Sequence, residues 1–152
     1  MPSGLHQLEL DIPINHAWGF VKDMNNWAPL VPGYTGHTQL SDRQSTWTFT
    51  GDAGIVQKTI HLSVEIKEWK EPTKVTFTLK GINENFSGNG YFQADTLSET
   101  SIKMTGYLQI SAKGITGPMI NPILKTLIPK TIKRFTETVA ASMMKTQSVG
   151  AG

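Results

Sequence analysis

Of the residue types that move protons or hold metals, the 152-residue chain carries four histidines, twelve Asp and Glu, and no cysteine. Disulfides, thiolate nucleophiles and sulfur-ligated zinc or iron–sulfur sites are therefore excluded. His6, His16, His37 and His61 include no pair at the spacing that puts two imidazoles on one helix face, so a metal site would need carboxylates converging from distant segments. No metal or cofactor is expected. Acid–base chemistry needs titratable groups facing each other in a dry pocket. Strand parity instead sends Glu65, Lys67 and Lys103 outward and His61 to a polar face, while Asp42, Asp52, Glu71, Glu84 and Glu99 fall in or near turns. His16 lies in the first turn of a short helix, His37 follows a loop, and only His6 has inward parity. The inward polar exceptions are Lys58 and, if the register slips by one, the hydroxyls of Tyr91 or Tyr107. No G-x-S-x-G elbow occurs, and "GNG" and "GYTG" lack phosphate-loop spacing. No catalytic residue is expected.

The elements that would position any site are legible in the pattern. "LHQLELDI" (Leu5–Ile12) reads as a strand ended by Pro13. Asn15 is placed to cap a short helix carrying Trp18 and Val21 on one face, and a second short helix is expected over Asn25–Leu30, stopped where Pro32 fixes φ and Gly33 can take φ > 0. From Tyr34 to Ala112 the period changes to two. Trp47 and Phe49 share one face of their strand. Val56, Ile60, Leu62, Val64 and Ile66 share a face of the longest one. Phe77 and Leu79 follow with Val75, then Phe86, Gly88, Gly90 and Phe92, then Met104, Gly106 and Leu108 with Ile102 and Ile110. Turn-rich connections such as "KEPT" and "TLSET" imply antiparallel neighbours, six or seven strands in one sheet.

After Gly117, apolar residues recur at helical spacing: Ile120, Leu124, Leu127/Ile128, Ile132, Phe135, Val139 and Met143. This is the stripe of a long helix, and Pro129 predicts a kink or a restart within it. One half-apolar sheet and one long amphipathic helix make an α+β domain, with the helix covering the sheet. The domain is expected to span residues 1–147, leaving 148–152 as a flexible tail. Glycines on the inward face (Gly88, Gly90, Gly106) predict strong curvature or unfilled space between sheet and helix.

The combination "DIPINHAWGFVKDMNNWAPLVPG", the strand meander, "NFSGNGYF" and a C-terminal apolar helix resembles the START/Bet v 1-like (SRPBCC) superfamily, and within it the CoxG family associated with carbon monoxide dehydrogenase. The matching residues are Pro13, Trp18, Asp23, the Pro32–Gly33 pair and the Gly88/Gly90 pattern. The resemblance implies a helix-grip fold: a curved antiparallel sheet of six to seven strands around a long C-terminal helix, with two short helices between the first and second strands. It also implies an apolar cavity between sheet and helix. Trp27, Leu30 and Tyr34 would form its wall and rim with Val31. Trp47, Phe49, Leu62, Val64, Phe77, Leu79, Phe86, Gly88, Gly90, Phe92, Met104, Gly106 and Leu108 of the strands, together with Leu124, Leu127, Ile128 and Phe135, would line it.

The expected function is non-catalytic binding of a hydrophobic small molecule, and the resemblance implies a lipid- or quinone-like ligand and a role as accessory of a carbon monoxide dehydrogenase-type oxidoreductase. The rival readings are a cyclase- or dehydratase-like enzyme using the same cavity, and an adaptor docking through the last helix. That helix carries Lys125, Lys130, Lys133, Arg134 and Lys145 against the single acid Glu137. Such a face suits an anionic membrane surface or an acidic partner; no recognition motif points to nucleic acid. With no signal-like N-terminus and no long apolar run, the expected location is cytoplasmic, with peripheral contact to the membrane as the alternative.

Overall fold

In the computed structural model of the chain, residues 2–52, 57–82, 85–115 and 117–151 are described, except for the side chains of 50–59 and of residues beyond 146. The alternating segments form β1 (Ser3–Leu10), β2 (Tyr34–Gln39), β3 (Gln44–Asp52), β4 (Gln57–Lys70), β5 (Lys74–Gly81), β6 (Phe86–Ser98) and β7 (Ser101–Ala112). They make one antiparallel sheet in the order β1-β7-β6-β5-β4-β3-β2, so the first strand returns to pair with the last. Between β1 and β2 lie α1 (Ile14–Val21), α2 (Met24–Trp27) and a 3-10 turn (Ala28–Leu30). The C-terminal helix α3 (Gly117–Ala151) packs along β1 and β7. This is the helix-grip architecture.

Parity holds where side chains are described. In β4, Leu62, Val64 and Ile66 are buried while His61, Ser63 and Lys67 are exposed. Val56 lies outside the described residues, and so does the side chain of Lys58. Tyr91 and Tyr107 face outward as a stacked pair, and Tyr107 donates to Gln109.

Two local expectations need correction. Asn15 does not cap α1: the helix starts at Ile14, with Pro13 in an extended conformation at the cap position and no side-chain cap. A proline there has no N–H to satisfy, and its fixed φ suits a helix start. The side-chain cap belongs instead to α2, where the Asp23 carboxylate accepts from the Asn25 N–H at 3.0 Å. Second, of the kink or restart that Pro129 predicts, the restart does not occur: α3 runs through Pro122 and Pro129 as one 35-residue helix. Gly4 of β1 makes room there, since a Cβ at that position would stand 2.7 Å from the Pro129 Cα and 2.8 Å from Ile132 Cγ2. Packing of the helix onto β1 outweighs the loss of a backbone donor.

The core centres on Trp27, which is 1% exposed. Its ring lies 5.7 Å from Trp47, 6.2 Å from Phe77, 5.6 Å from Phe92 and 6.4 Å from Phe135, centroid to centroid. The indole N–H donates to the Val21 carbonyl at 2.9 Å, so the one polar atom of this buried side chain is satisfied. α2 therefore plugs one end of the sheet with its largest residue.

Candidate functional site

Along the concave face, burial changes from one end of each strand to the other. At the end plugged by α2, Trp47, Val64, Ile66, Val75, Phe77, Phe92, Ile102 and Met104 are buried. Toward the opposite end, Phe49, Ile60, Leu79, Phe86, Leu108 and Ile110 point the same way and stay only half-buried. The core is correspondingly interrupted: Leu124 and Ile128 of α3 form a second cluster with Ala112, distinct from the Trp27 cluster, and half-buried Leu108 packs against both.

The cause lies in how α3 sits. Pro129 and Ile132 face Gly4, and Thr136 faces Gly106, so the helix leans on β1 and β7. At 100° per residue, Ile120, Ile123 and Leu127 lie on the flank turned away from that contact. Ile123 and Leu127 are each 39% exposed there, and Met119 is 75% exposed one turn earlier. The exposed apolar flank of the first half of α3 and the half-buried apolar face of the strands together form an apolar region, termed the trough; Ile82 (50% exposed) and Ile115 (97% exposed), after β5 and before α3, are further exposed apolar residues.

The sequence-predicted residues divide between the two halves. Trp27, Trp47, Val64, Phe77, Phe92, Met104 and Phe135 are buried in the packed end, and Leu62 is buried outside that cluster. Leu30, Tyr34, Phe49, Leu79, Phe86, Gly88 and Leu108 are half-buried. Leu124 and Ile128 are buried beneath the helix, whereas Leu127 is on its exposed flank.

The inward glycines do not mark empty room. A Cβ at Gly90 would lie 2.5 Å from the Tyr107 carbonyl and 2.7 Å from Phe77 Cζ, one at Gly88 would overlap the Gln109 carbonyl and meet Leu79 Cδ1 at 2.9 Å, and one at Gly106 would overlap Thr136 Oγ1. They permit close approach of neighbouring strand and helix instead. In the packed half, the pocket between α1 and the sheet, beside Val75, Phe92 and Met143, holds about 20 Å³, room for a water molecule but not for a ligand. A separate cleft of about 430 Å³ lies on the outside, between Trp18 and Trp69 and the turn residues Asp42 and Glu71.

One polar chain lies on the concave side, and parity alone hid it. Tyr34 Oη is 2.5 Å from His37 Nδ1, and His37 Nε2 is 2.7 Å from Asn25 Oδ1. Asn25 Nδ2 donates to Asp23 Oδ1 at 3.0 Å and to Gln39 Oε1 at 3.3 Å. Three residues apart on a regular strand, Tyr34 and His37 would face opposite ways. The register of β2 against β3 shifts between Tyr34 and Gly36, however, and this bulge brings both to one side, with His37 opposite Trp47. A Tyr-x-Gly-His stretch straight after a Pro-Gly turn is the sequence signal that could have suggested it. No group of three or more His, Asp or Glu side chains converges on a point among the described residues.

No curated protein matches the chain by sequence. One family model, carrying the description "-like", matches residues 1–147. Among solved structures, a START superfamily protein from Mycobacterium smegmatis is similar with a TM-score of 0.72 at 15% identity, covering 94% of this chain and 97% of that one. The Zhui aromatase/cyclase from Streptomyces sp. R1128 has a TM-score of 0.72 at 10% identity over 94% of this chain and 93% of its own. A norcoclaurine synthase point mutant from Thalictrum, in complex with a transition-state analogue, has a TM-score of 0.67 at 10% identity over 95% of both chains. With the sheet order, the plugging helices and the gripped α3, these similarities show that the chain shares the helix-grip fold of these proteins.

Proposed function

We propose that this chain binds a hydrophobic small molecule, lipid- or quinone-like, in the trough beneath the first half of α3. The observation that carries the reading is that Phe49, Leu79, Phe86 and Leu108 face inward yet remain half-buried, opposite an exposed apolar flank of α3. Contiguous apolar surface of this kind is a site for something that covers it. The test uses delipidated protein and the neutral fluorescent probe N-phenyl-1-naphthylamine. Saturable binding is expected, weakened at least about tenfold by Leu79→Asp and Leu108→Asp, because a carboxylate on the trough floor must be desolvated by the probe. Absence of saturable binding, or variants that bind as the wild type does, would overturn the reading.

The finer role, an accessory of a carbon monoxide dehydrogenase-type oxidoreductase, is supported by the CoxG-like residues Pro13, Trp18, Asp23, Pro32 and Gly33. Co-purification of such an oxidoreductase with the tagged chain from its native cells tests it. A membrane as the place of ligand exchange is supported by exposed Met119, Ile123 and Leu127, which share a helix side with exposed Lys130, Lys133 and Arg134. An enzymatic use of the trough is favoured by one observation, the Tyr34–His37 hydrogen bond, since two titratable side chains meet there on the concave side.

A further inference from the structure

The hydrogen-bond chain ending at Tyr34 has a fixed direction, and the direction follows from its far end. The Asp23 carboxylate can only accept, so the Asn25 group facing it is the amide NH₂, which leaves Asn25 Oδ1 toward His37. An amide oxygen can only accept, so His37 Nε2 carries a proton. In the neutral imidazole Nδ1 is then the acceptor, and the Tyr34 hydroxyl must donate to it. The Tyr34 oxygen has given away its hydrogen and keeps only lone pairs for any other partner. Exposure falls inward along the chain: Asp23 and Asn25 are exposed, His37 and Tyr34 half-buried. Tyr34 pairs across the sheet with Phe49, one of the half-buried trough residues, and packs against the main core cluster.

We infer that Tyr34 is the specificity-determining polar residue of the trough, a one-way hydrogen-bond acceptor that selects hydrophobic ligands bearing a hydroxyl donor, such as phenols or alcohols, over their ether or ketone counterparts. Asn25 and His37 are positioning residues that lock the tyrosine in the donor-committed state. The inference rests on the trough being the ligand site, and it deepens that reading by naming the ligand's polar group.

The experiment compares 2-naphthol with 2-methoxynaphthalene, which share a ring system and differ in the donor. Wild-type protein is expected to bind the naphthol about five- to tenfold more tightly, the size of one net hydrogen bond. Tyr34→Phe should bind both with the affinity of the ether. His37→Leu should also lose the preference, since it removes the acceptor that fixes the hydroxyl hydrogen. If neither compound binds the wild type, the trough reading fails. If both bind equally well, or Tyr34→Phe keeps the preference, the trough stands and the role of Tyr34 is overturned. Independently of any variant, nitrogen chemical shifts of His37 in the wild type should report the neutral ring protonated on Nε2; protonation on Nδ1 would overturn the inference.

Discussion

Thr136 of α3 fills the space that a Cβ would need at Gly106 of β7. Thr136 is fully buried, and its hydroxyl has no hydrogen-bond partner among the described residues. The helix therefore reaches the sheet backbone at the cost of one unsatisfied polar atom. Gly106→Ala is expected to destabilise the protein by about 1–3 kcal/mol, because a β-branched side chain anchored in a helix cannot step aside. In a Thr136→Ala background the same substitution should cost about 1 kcal/mol less, a coupling that urea unfolding of the four-member cycle measures. Simple additivity would show that contact with Thr136 is not what requires glycine at this position.

Much of this architecture was legible because strands and helices announce themselves by period. The alternation of Leu62, Val64 and Ile66 in β4 and the three- and four-residue spacing of Leu124, Ile128, Ile132, Phe135 and Val139 in α3 are direct images of which face is buried. What the spacing could not carry was the lean of α3. Leu127 sits beside Ile128 in the stripe, and only the pressing of Pro129, Ile132 and Thr136 onto β1 and β7 decides that Leu127 turns outward. Why the inward glycines could mean either a curved sheet or unfilled space has a related cause. An inward glycine admits either empty space or a close neighbour, and sequence does not say which. The Tyr34–His37 pair was hidden because a one-residue bulge reverses parity beyond it.

The apolar flank of α3 and its cations make a prediction about membranes. No helix among the described residues is long and apolar enough to cross a bilayer. Lys130, Lys133 and Arg134 are exposed and continue the line begun by Met119, Ile123 and Leu127. Co-sedimentation with phosphatidylserine-containing vesicles should exceed that with phosphatidylcholine alone and fall as salt rises. Each basic residue near anionic lipid contributes about 1 kcal/mol, so Lys130→Glu/Lys133→Glu/Arg134→Glu should lose binding by more than about a hundredfold. Met119→Ser/Ile123→Ser/Leu127→Ser should weaken it at every salt concentration. Equal binding to both vesicle types would dismiss the membrane as partner.

Glu65 provides a local pH reporter on the outer face of β4. Its carboxyl is held below the ordinary value, first by the hydrogen bond from Lys67, 2.8 Å from Nζ to Oε1, and then by the charge of the same ammonium. A carboxyl whose folded pKa is depressed stabilises the protein above its unfolded pKa, and that contribution is lost as pH falls through the folded value. The pair lies on the solvent side, where screening leaves little net effect. Lys67→Met should therefore raise the carbon-detected titration of Glu65 toward the ordinary glutamate range while leaving the acid-unfolding midpoint nearly unchanged. An unmoved titration would mean that Lys67 is not the cause.

Asn121 ties the start of α3 to the end of β7, and so sets the roof of the trough. The Ala112 N–H donates to Asn121 Oδ1 at 2.8 Å, and Asn121 Nδ2 donates back to the Ala112 carbonyl at 3.0 Å. Ala112 is 6% exposed, so water does not readily replace either partner. Gly117 permits the approach, since a Cβ there would lie 2.9 Å from the same carbonyl. Asn121→Ala strands two backbone groups and is expected to cost about 2 kcal/mol or more in urea unfolding. Asn121→Asp keeps the acceptor for the N–H but turns a second oxygen toward the carbonyl, so it should fail to restore stability. The same substitutions should speed hydrogen exchange at the Ala112 amide before they affect the buried strands around Trp27, because they free one end of α3 while Pro129, Ile132 and Thr136 still hold its middle. Probe affinity should fall with them, as the Leu124 and Ile128 cluster no longer closes over Leu108 and Phe86. Unchanged exchange at Ala112 in Asn121→Ala would show that the side chain does not anchor the helix, and that the roof of the trough is held by apolar packing alone.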